Sequence, residues 1–448
     1  MRRWALVKRN LLLVSILVFA LLAVSSFALA QKELSILCGE YTPGHWIYEL
    51  AQKDFEVQTG VKVKFDFVAW AQYTDKILVT LSAHDSSYDI IVGDSQLLGA
   101  AAIGNHYVEL TDWLKENIDL EKLAPAPLKY YAEYPTGSGK YYGVSAVLDV
   151  PAIAYRKDLF EDPKEKEAFK AKYGYELDVP KTWDELRDIA EFFTRPDQNF
   201  YGLAYWPAKT FDAVTMGFQP VMWSFGADYH APDSYQVEGY LNSEAGVKAL
   251  EFYVNLMKYA PPGSENYYWN ECIQAFAQGL VAMAFEWGSW CEGFVNPATN
   301  PQYHDKVGFF PFPGKVGEDG VFRQYATLGG QGFNVVTYGK NRDAALEFIK
   351  WWCQEETQKK YMAMGGIPIL TDLLNSPEFL NAKPYNPALA EGLKVVKDFW
   401  NIPEYAALLE VTQKYWSAAC AGMMSPKEAM DAVAREHTQI LKEAGYLD

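Results

Sequence analysis

Carboxylates and flat aromatic rings fall close together at several points in this chain. Glu40 precedes Tyr41, with His45 and Trp46 just beyond, and Glu286 precedes Trp287, with Trp290 three residues on. Asp94, Asp149, Trp70 and Trp223 add to the same two chemical types, as do Phe211 and Asp212 in the segment KTFDAVTMGFQPVMWSFGADY. An ionised carboxylate accepts hydrogen bonds from hydroxyl groups, and a ring covers a patch of C–H. Together they suit a solute with a hydroxylated rim and an apolar face. The same groups also suit an amine, through ion pairing and cation–π contact, so a polyamine or a betaine is the alternative ligand. Two carboxyl groups flanking a bond are what a glycoside hydrolase needs, which makes a secreted hydrolase the enzymatic rival.

Other chemistries lack their residues. No G-x-S-x-G, H-E-x-x-H or G-x-x-x-x-G-K-[ST] motif occurs, and PTGSGKYYG at 135–143 lacks the spacing of a phosphate loop and does not open a helix. The six histidines show no ligand spacing, and the five cysteines contain no C-x-x-C pair. An odd count leaves at least one free thiol, while Cys272 and Cys291 could form a bridge. The residues therefore read as a binding protein, with no enzyme activity, no cofactor and no metal. A net charge of −17, from 57 acidic and 40 basic residues, argues against nucleic acid and anionic membrane surfaces, both of which reward clustered Lys and Arg.

The elements that must position these groups alternate between periods. ELSILC, VKVKFDFVAW and YDIIVGD read as strands, and YELAQKDFEVQTG reads as a helix ending at Gly60. This strand, helix, strand rhythm is that of an α/β fold. In VPKTWDELRDIAEFF, Thr182 and Glu185 form a capping box; in MSPKEAMDAVAREHTQIL, Ser425, Pro426 and Glu428 mark a second helix start. EAGVKALEFYVNLMKYAPPG reads as a helix with Val247, Leu250, Val254 and Met257 inward. NECIQAFAQGLVAMAFEWGSW gives a helix, a turn at Gly279 and a buried strand. YATLGGQGFNVVTYGKNRDAALEFIKWWC gives a glycine-rich turn, a strand and a helix with Ala345, Phe348, Ile349 and Trp352 inward. Ligands of open α/β sheets bind beyond the carboxyl ends of strands. That rule selects Glu40 and Tyr41 after the first strand, Trp70 after the second, Asp94 and Ser95 after the third, and Glu286 and Trp287 after LVAMAFEW.

The chain opens with Arg2, Arg3, Lys8 and Arg9, an apolar run and Ala28-Leu29-Ala30, the layout of an export signal cleaved after residue 30. The run is also long enough for an uncleaved anchor helix. Leu37 before Cys38, and the distance of Cys38 from the apolar run, argue against a lipid-modified cysteine.

The order of these segments, from the leader through DIIVGD, KYYGVSAVLDVPAIAYRKDLFED, VPKTWDELRDIAEFF and AFAQGLVAMAFEWGSW to GGQGFNVVTYGKNRDAALEFIKWW, resembles the maltose-binding-protein-like class of extracellular solute-binding proteins of bacterial ABC importers. The resemblance covers essentially all of the chain after the leader. It implies a two-lobed α/β fold with an interlobe cleft, in which 31–150 and 328–367 form the N-terminal lobe and 151–327 and 368–448 the C-terminal lobe. Crossings are expected at Val150–Ala154, Leu328–Gln331 and Gly365–Pro368, acting as hinges. Aligned by motif, Asp94 matches the carboxylate after the family's third strand, Asp149 the acidic position before the first crossing, and Trp287, or Trp290 in another register, the tryptophan cluster. Trp223 serves as a further ring, and Gly330 and Gln331, at the second crossing, complete the set. The implied protein is an exported, periplasmic or extracellular monomer. It closes on an oligosaccharide, monosaccharide or polyol and delivers it to a membrane permease.

Overall fold

The computed structural model describes residues 32–448, so the expected leader lies outside the described residues. The strands that frame the site are β1 (Glu33–Gly39), β2 (Lys62–Val68), β3 (Ile90–Gly93), β4 (Gly143–Asp149), β5 (Pro151–Arg156), β6 (Tyr201–Ala204), β7 (Val281–Trp287), β8 (Val307–Pro311) and β9 (Gly329–Val335). They form two sheets, β2-β1-β3-β9-β4 and β6-β7-β5-β8. The first three strands run parallel, and β9 returns antiparallel between β3 and β4. In the second sheet β5 is antiparallel to both β7 and β8, while β6 is parallel to β7.

The helices that matter here are α1 (Thr42–Leu50), α2 (Trp70–Ser82), α3 (Ser95–Ile103), α4 (Trp183–Phe193), α5 (Ala213–Ser224), α6 (Glu244–Asn255), α7 (Trp269–Ala277), α8 (Arg342–Trp352), α9 (Asn386–Leu393), α10 (Tyr405–Cys420) and α11 (Pro426–Glu443). The architecture is two-lobed α/β. Alternation along β1 sends Leu34, Ile36 and Cys38 into the core on one face of the first sheet, with Phe333, Phe348 and Trp352, and Leu37 into a smaller core with Tyr73, Ile77 and Ile91 on the other. Cys38 is therefore a buried core residue. The second sheet carries its own core around Trp183, Leu203, Trp206, Tyr253 and Phe285, shared with α10 and α11.

Both expected capping boxes form. Thr182 Oγ1 accepts the Glu185 N–H at 3.2 Å while Glu185 Oε2 accepts the Thr182 N–H at 3.0 Å, and Ser425 and Glu428 repeat the arrangement. The helix ending at Gly60 starts earlier than its sequence period suggests, at Thr42, and passes through one π-helical turn, Ala51–Phe55. Helix α6 is rotated from its expected face and buries Gly246, Ala249, Leu250 and Tyr253. Tyr253 fixes that rotation by donating its hydroxyl to the Trp206 carbonyl at 2.9 Å, and a Cβ on Gly246 would lie 2.0 Å from the Leu241 carbonyl oxygen. The glycines expected in a turn at 329–330 instead open β9. Cys272 and Cys291 are free thiols buried in different cores, the first against the Tyr205 carbonyl at 3.6 Å, so the suggested bridge does not form.

The chain passes between sheets at Val150, the single residue between β4 and β5. It re-enters the first sheet at Gly329. Ala124 and Ile369 still bond backbone to backbone beside the first sheet, whereas α9 packs against β5 and β8.

Candidate binding site between the lobes

Strand ends build one wall. Beyond β1, Glu40 sits at the exposed rim with Oε1 2.6 Å from His45 Nε2, and the Tyr41 ring meets Trp70 edge-on at 5.6 Å. Trp70 is the first residue of α2, close enough to β1 that a Cβ on Gly39 would lie 2.8 Å from its ring. Beyond β3, Asp94 is the N-cap of α3 and accepts the Gln96 N–H at 3.3 Å. It is both a structural cap and a cavity group. At the end of β4, Asp149 Oδ1 accepts N–H groups from Val150 at 2.8 Å and from Ser289 of the other lobe at 3.1 Å. Asp398 follows the two-residue strand Val396–Lys397 and accepts the Phe399 N–H at 2.7 Å.

The second lobe supplies mostly rings. Trp287, the last residue of β7, stacks on Trp206 at 5.1 Å and donates its Nε1–H to the Tyr268 hydroxyl at 2.9 Å. Tyr268 in turn donates to Asp212 Oδ1, just before α5. The Trp269 and Trp290 rings lie parallel, within 4° and 6.1 Å apart. Gly329 of β9 lies against Trp287, where a Cβ would come within 2.4 Å of the ring.

These residues enclose a cavity of about 290 Å³ lined by Glu40, Tyr41, Trp70, Asp94, Ser95, Asp149, Trp287, Trp290, Gly330 and Gln331 from the expected set. Gln331 Oε1 is buried there without a protein partner. A second cavity of about 620 Å³ adjoins the first across Val147, Asn270, Ser289 and Trp290. Burial pushes Asp94 and Asp212 up to about 7 and Asp149 and Asp398 up to about 6, and for Asp94 the charges of Asp398 and Asp212 add to the effect. Among the described residues lining this cavity there is no Lys, Arg or His.

Two expected residues stand elsewhere. Trp223 lies in the last turn of α5, eleven residues beyond Asp212 and so about 16 Å along the helix. Its ring packs on Tyr229 and Tyr325, and its Nε1–H donates to Asp228 at 3.1 Å. Glu286 immediately precedes Trp287, so strand alternation turns it away from the cavity. It is fully buried, its Oε1 accepts the Trp287 N–H at 2.9 Å, and burial raises its carboxyl well above the usual range. Asp398, Tyr131, Tyr268, Trp269 and Tyr405 line the cavity without having been anticipated. The carboxylate at 398 obeys the strand-end rule, but a strand of two residues leaves no periodicity to read. The tyrosines and Trp269 sit at helix ends, where nothing in the pattern separates them from packing.

A family model described as bacterial extracellular solute-binding protein matches residues 39–359. A probable amino-acid ABC transporter periplasmic-binding protein of Sinorhizobium fredii is 25% identical over 405 residues, covering 88% of this chain and 86% of that protein. A mannitol-binding protein of Pseudomonas aeruginosa is 25% identical over 327 residues, covering 69% of this chain and 71% of its own. Among solved structures, an ABC transporter solute-binding protein of Agrobacterium radiobacter in complex with ribitol superposes with a TM-score of 0.74 at 24% identity, covering 91% of this chain and 98% of that one.

Proposed function

Because the chain belongs to the family of bacterial extracellular solute-binding proteins, we propose that it captures a sugar or polyol between its lobes and delivers it to the membrane permease of an ABC importer. The observation that carries this reading is the cavity itself. Carboxylates and amide groups are placed around it to bond hydroxyls, and the rings of Trp70, Trp287 and Trp290 are placed to cover C–H faces. Its volume of about 290 Å³ lies at the small end of ligand sites, in keeping with a single ring or an alditol, while the adjoining cavity offers room for a longer ligand.

Of the ligand classes named for its relatives, an amino acid fits this cavity poorly. Its α-carboxylate would face Asp94, Asp149, Asp212 and Asp398 with no side-chain cation to receive it. Closure is a rotation of the two lobes about the passages at Val150, near Leu328 and after Leu370, biased by a ligand that touches both lobes. The protein acts as a monomer outside the cytoplasm and releases its ligand unchanged, with no chemistry between the carboxylates. A thermal-shift panel of monosaccharides, oligosaccharides, alditols and amino acids tests the reading, since a specific ligand stabilises by mass action. A sugar or alditol that raises the melting temperature supports it. Stabilisation by amino acids alone, or hydrolysis of the hit during incubation, overturns it.

A further inference from the structure

The carboxylates of this cavity lack a counter-charge. Asp94, Asp212 and Asp398 lie close enough that the charges of the other two raise Asp94, and all three bear on Tyr405, whose phenol is held well above its usual range chiefly by burial. Gln96 N–H and Ser95 Oγ–H donate to Asp94 Oδ1, the Tyr268 hydroxyl donates to Asp212 Oδ1, and Phe399 N–H donates to Asp398 Oδ1, with Ser95 also a partner of Asp398. Asp94 Oδ2 takes no protein hydrogen bond and is left for a ligand.

Nearby bases are engaged elsewhere. Lys397, next to Asp398 in the chain, pairs with Asp228 and lies over the Trp223 ring at 4.9 Å, and His45 pairs with Glu40 at the rim. A group of buried carboxylates is costly when ionised, and the cost is relieved either by holding a proton or by a cation that enters among them. Among the described residues, no three His, Cys, Asp or Glu side chains converge closely enough to hold a metal ion. An ammonium group, which donates three separate N–H bonds, does not need that convergence. Ser95, Gln331, Asn270 and Ser289, on the same walls, are neutral groups suited to hydroxyls.

Building on the sugar or polyol reading, we propose that the ligand is a cationic carbohydrate: an amino sugar or amino alditol whose ammonium sits among Asp94, Asp212 and Asp398 while its hydroxyls meet the neutral wall. Tyr131 and Tyr405, which line the same end, add ring faces to the ammonium's surroundings.

Calorimetric titration with matched pairs tests this: D-glucosamine against D-glucose and N-acetyl-D-glucosamine, and D-glucamine against D-sorbitol, with spermidine as a cation lacking hydroxyls. The amine-bearing member of at least one pair is expected to bind about tenfold or more tighter than its neutral partner. That gap is expected to shrink with added salt and in Asp398→Asn and Asp94→Asn. The salt series on the unaltered protein stands as a test should a variant fail to fold. Equal or tighter binding of the neutral members overturns the cationic ligand and leaves the sugar or polyol reading intact. Binding of none of these sugars and alditols, or tighter binding of spermidine than of any of them, overturns the cationic carbohydrate; the sugar or polyol reading falls only if the oligosaccharides of the thermal-shift panel also fail to bind.

Discussion

Trp70 of the first lobe and Phe211 of the second meet edge to face across the cleft, 6.1 Å apart at 69°. Phe211 adopts a φ of +51°, in the left-handed region that bulky residues rarely enter. A strained residue that touches the opposite lobe beside the cavity ties local backbone geometry to closure.

Phe211→Ala removes the ring and keeps the strain, whereas Phe211→Gly removes both. An aromatic pair of this kind contributes about 0.5–1.5 kcal/mol, so both variants are expected to bind ligand several-fold more weakly. Phe211→Gly should melt above Phe211→Ala, because glycine accepts this φ at little cost. Paired melting curves and titrations check both points; an Ala variant as stable as the Gly variant would show that the φ carries no strain.

The contribution of the four cavity carboxylates to the stability of the ligand-free protein should fall as the pH rises from about 4 to about 8. A carboxylate raised on folding holds its proton more tightly in the native chain than in the unfolded one. Its contribution is complete below the ordinary carboxylate value and is lost as the pH climbs through the folded value, about 6 for Asp149 and Asp398 and about 7 for Asp94 and Asp212. Asp398→Asn removes one such group, so it should gain up to about 3 kcal/mol over the parent at the alkaline end and little at the acid end. Denaturant melts at both ends measure the difference. An equal effect at both would mean that Asp398 titrates normally.

Trp223→Ala separates packing from binding. Its ring is buried against Tyr229 and Tyr325 outside the cavity, so the variant should lose on the order of 3–5 kcal/mol of stability. Ligand affinity should stay within about twofold of the parent, on the usual additivity of separated sites. A large loss of affinity in a folded variant would return Trp223 to the site.

Gly329→Ala places a methyl group where the Trp287 ring now lies, 2.4 Å away. The ring must shift, and it is a wall of the cavity, so ligand binding should weaken by about tenfold or more, the cost of overpacking. Melting temperature and affinity measured together distinguish this from general unfolding. An unchanged affinity would show that Trp287 has room to move.

Much of this arrangement was legible in the chain because it rests on periodicity. β1 and β3 end where their apolar runs end, which put Glu40, Tyr41, Asp94 and Ser95 at the cavity by a rule about strand ends alone. Thr182 and Ser425 announce their helices by capping chemistry that depends only on neighbours. Glu286 misled because strand alternation gives adjacent residues opposite faces, and the end of a run does not say which of them faces out. Trp223 misled because an aromatic residue in an apolar helix looks the same whether it packs or binds. Asp398 follows a strand of only two residues and Tyr268 sits at a helix end, so neither leaves a period that separates cavity from packing.

If the interlobe cavity holds the solute, Trp287 is the wall whose removal should be felt most. The ring stacks on Trp206, bonds to Tyr268 and lines the cavity with little exposure. Titrating the best-stabilising sugar or alditol into the parent protein and into folded Trp287→Ala should give saturable one-to-one binding in the first. In the second, affinity should fall at least about tenfold, a loss of about 1.4 kcal/mol or more. Equal affinity in the two proteins would place the ligand outside the interlobe cavity.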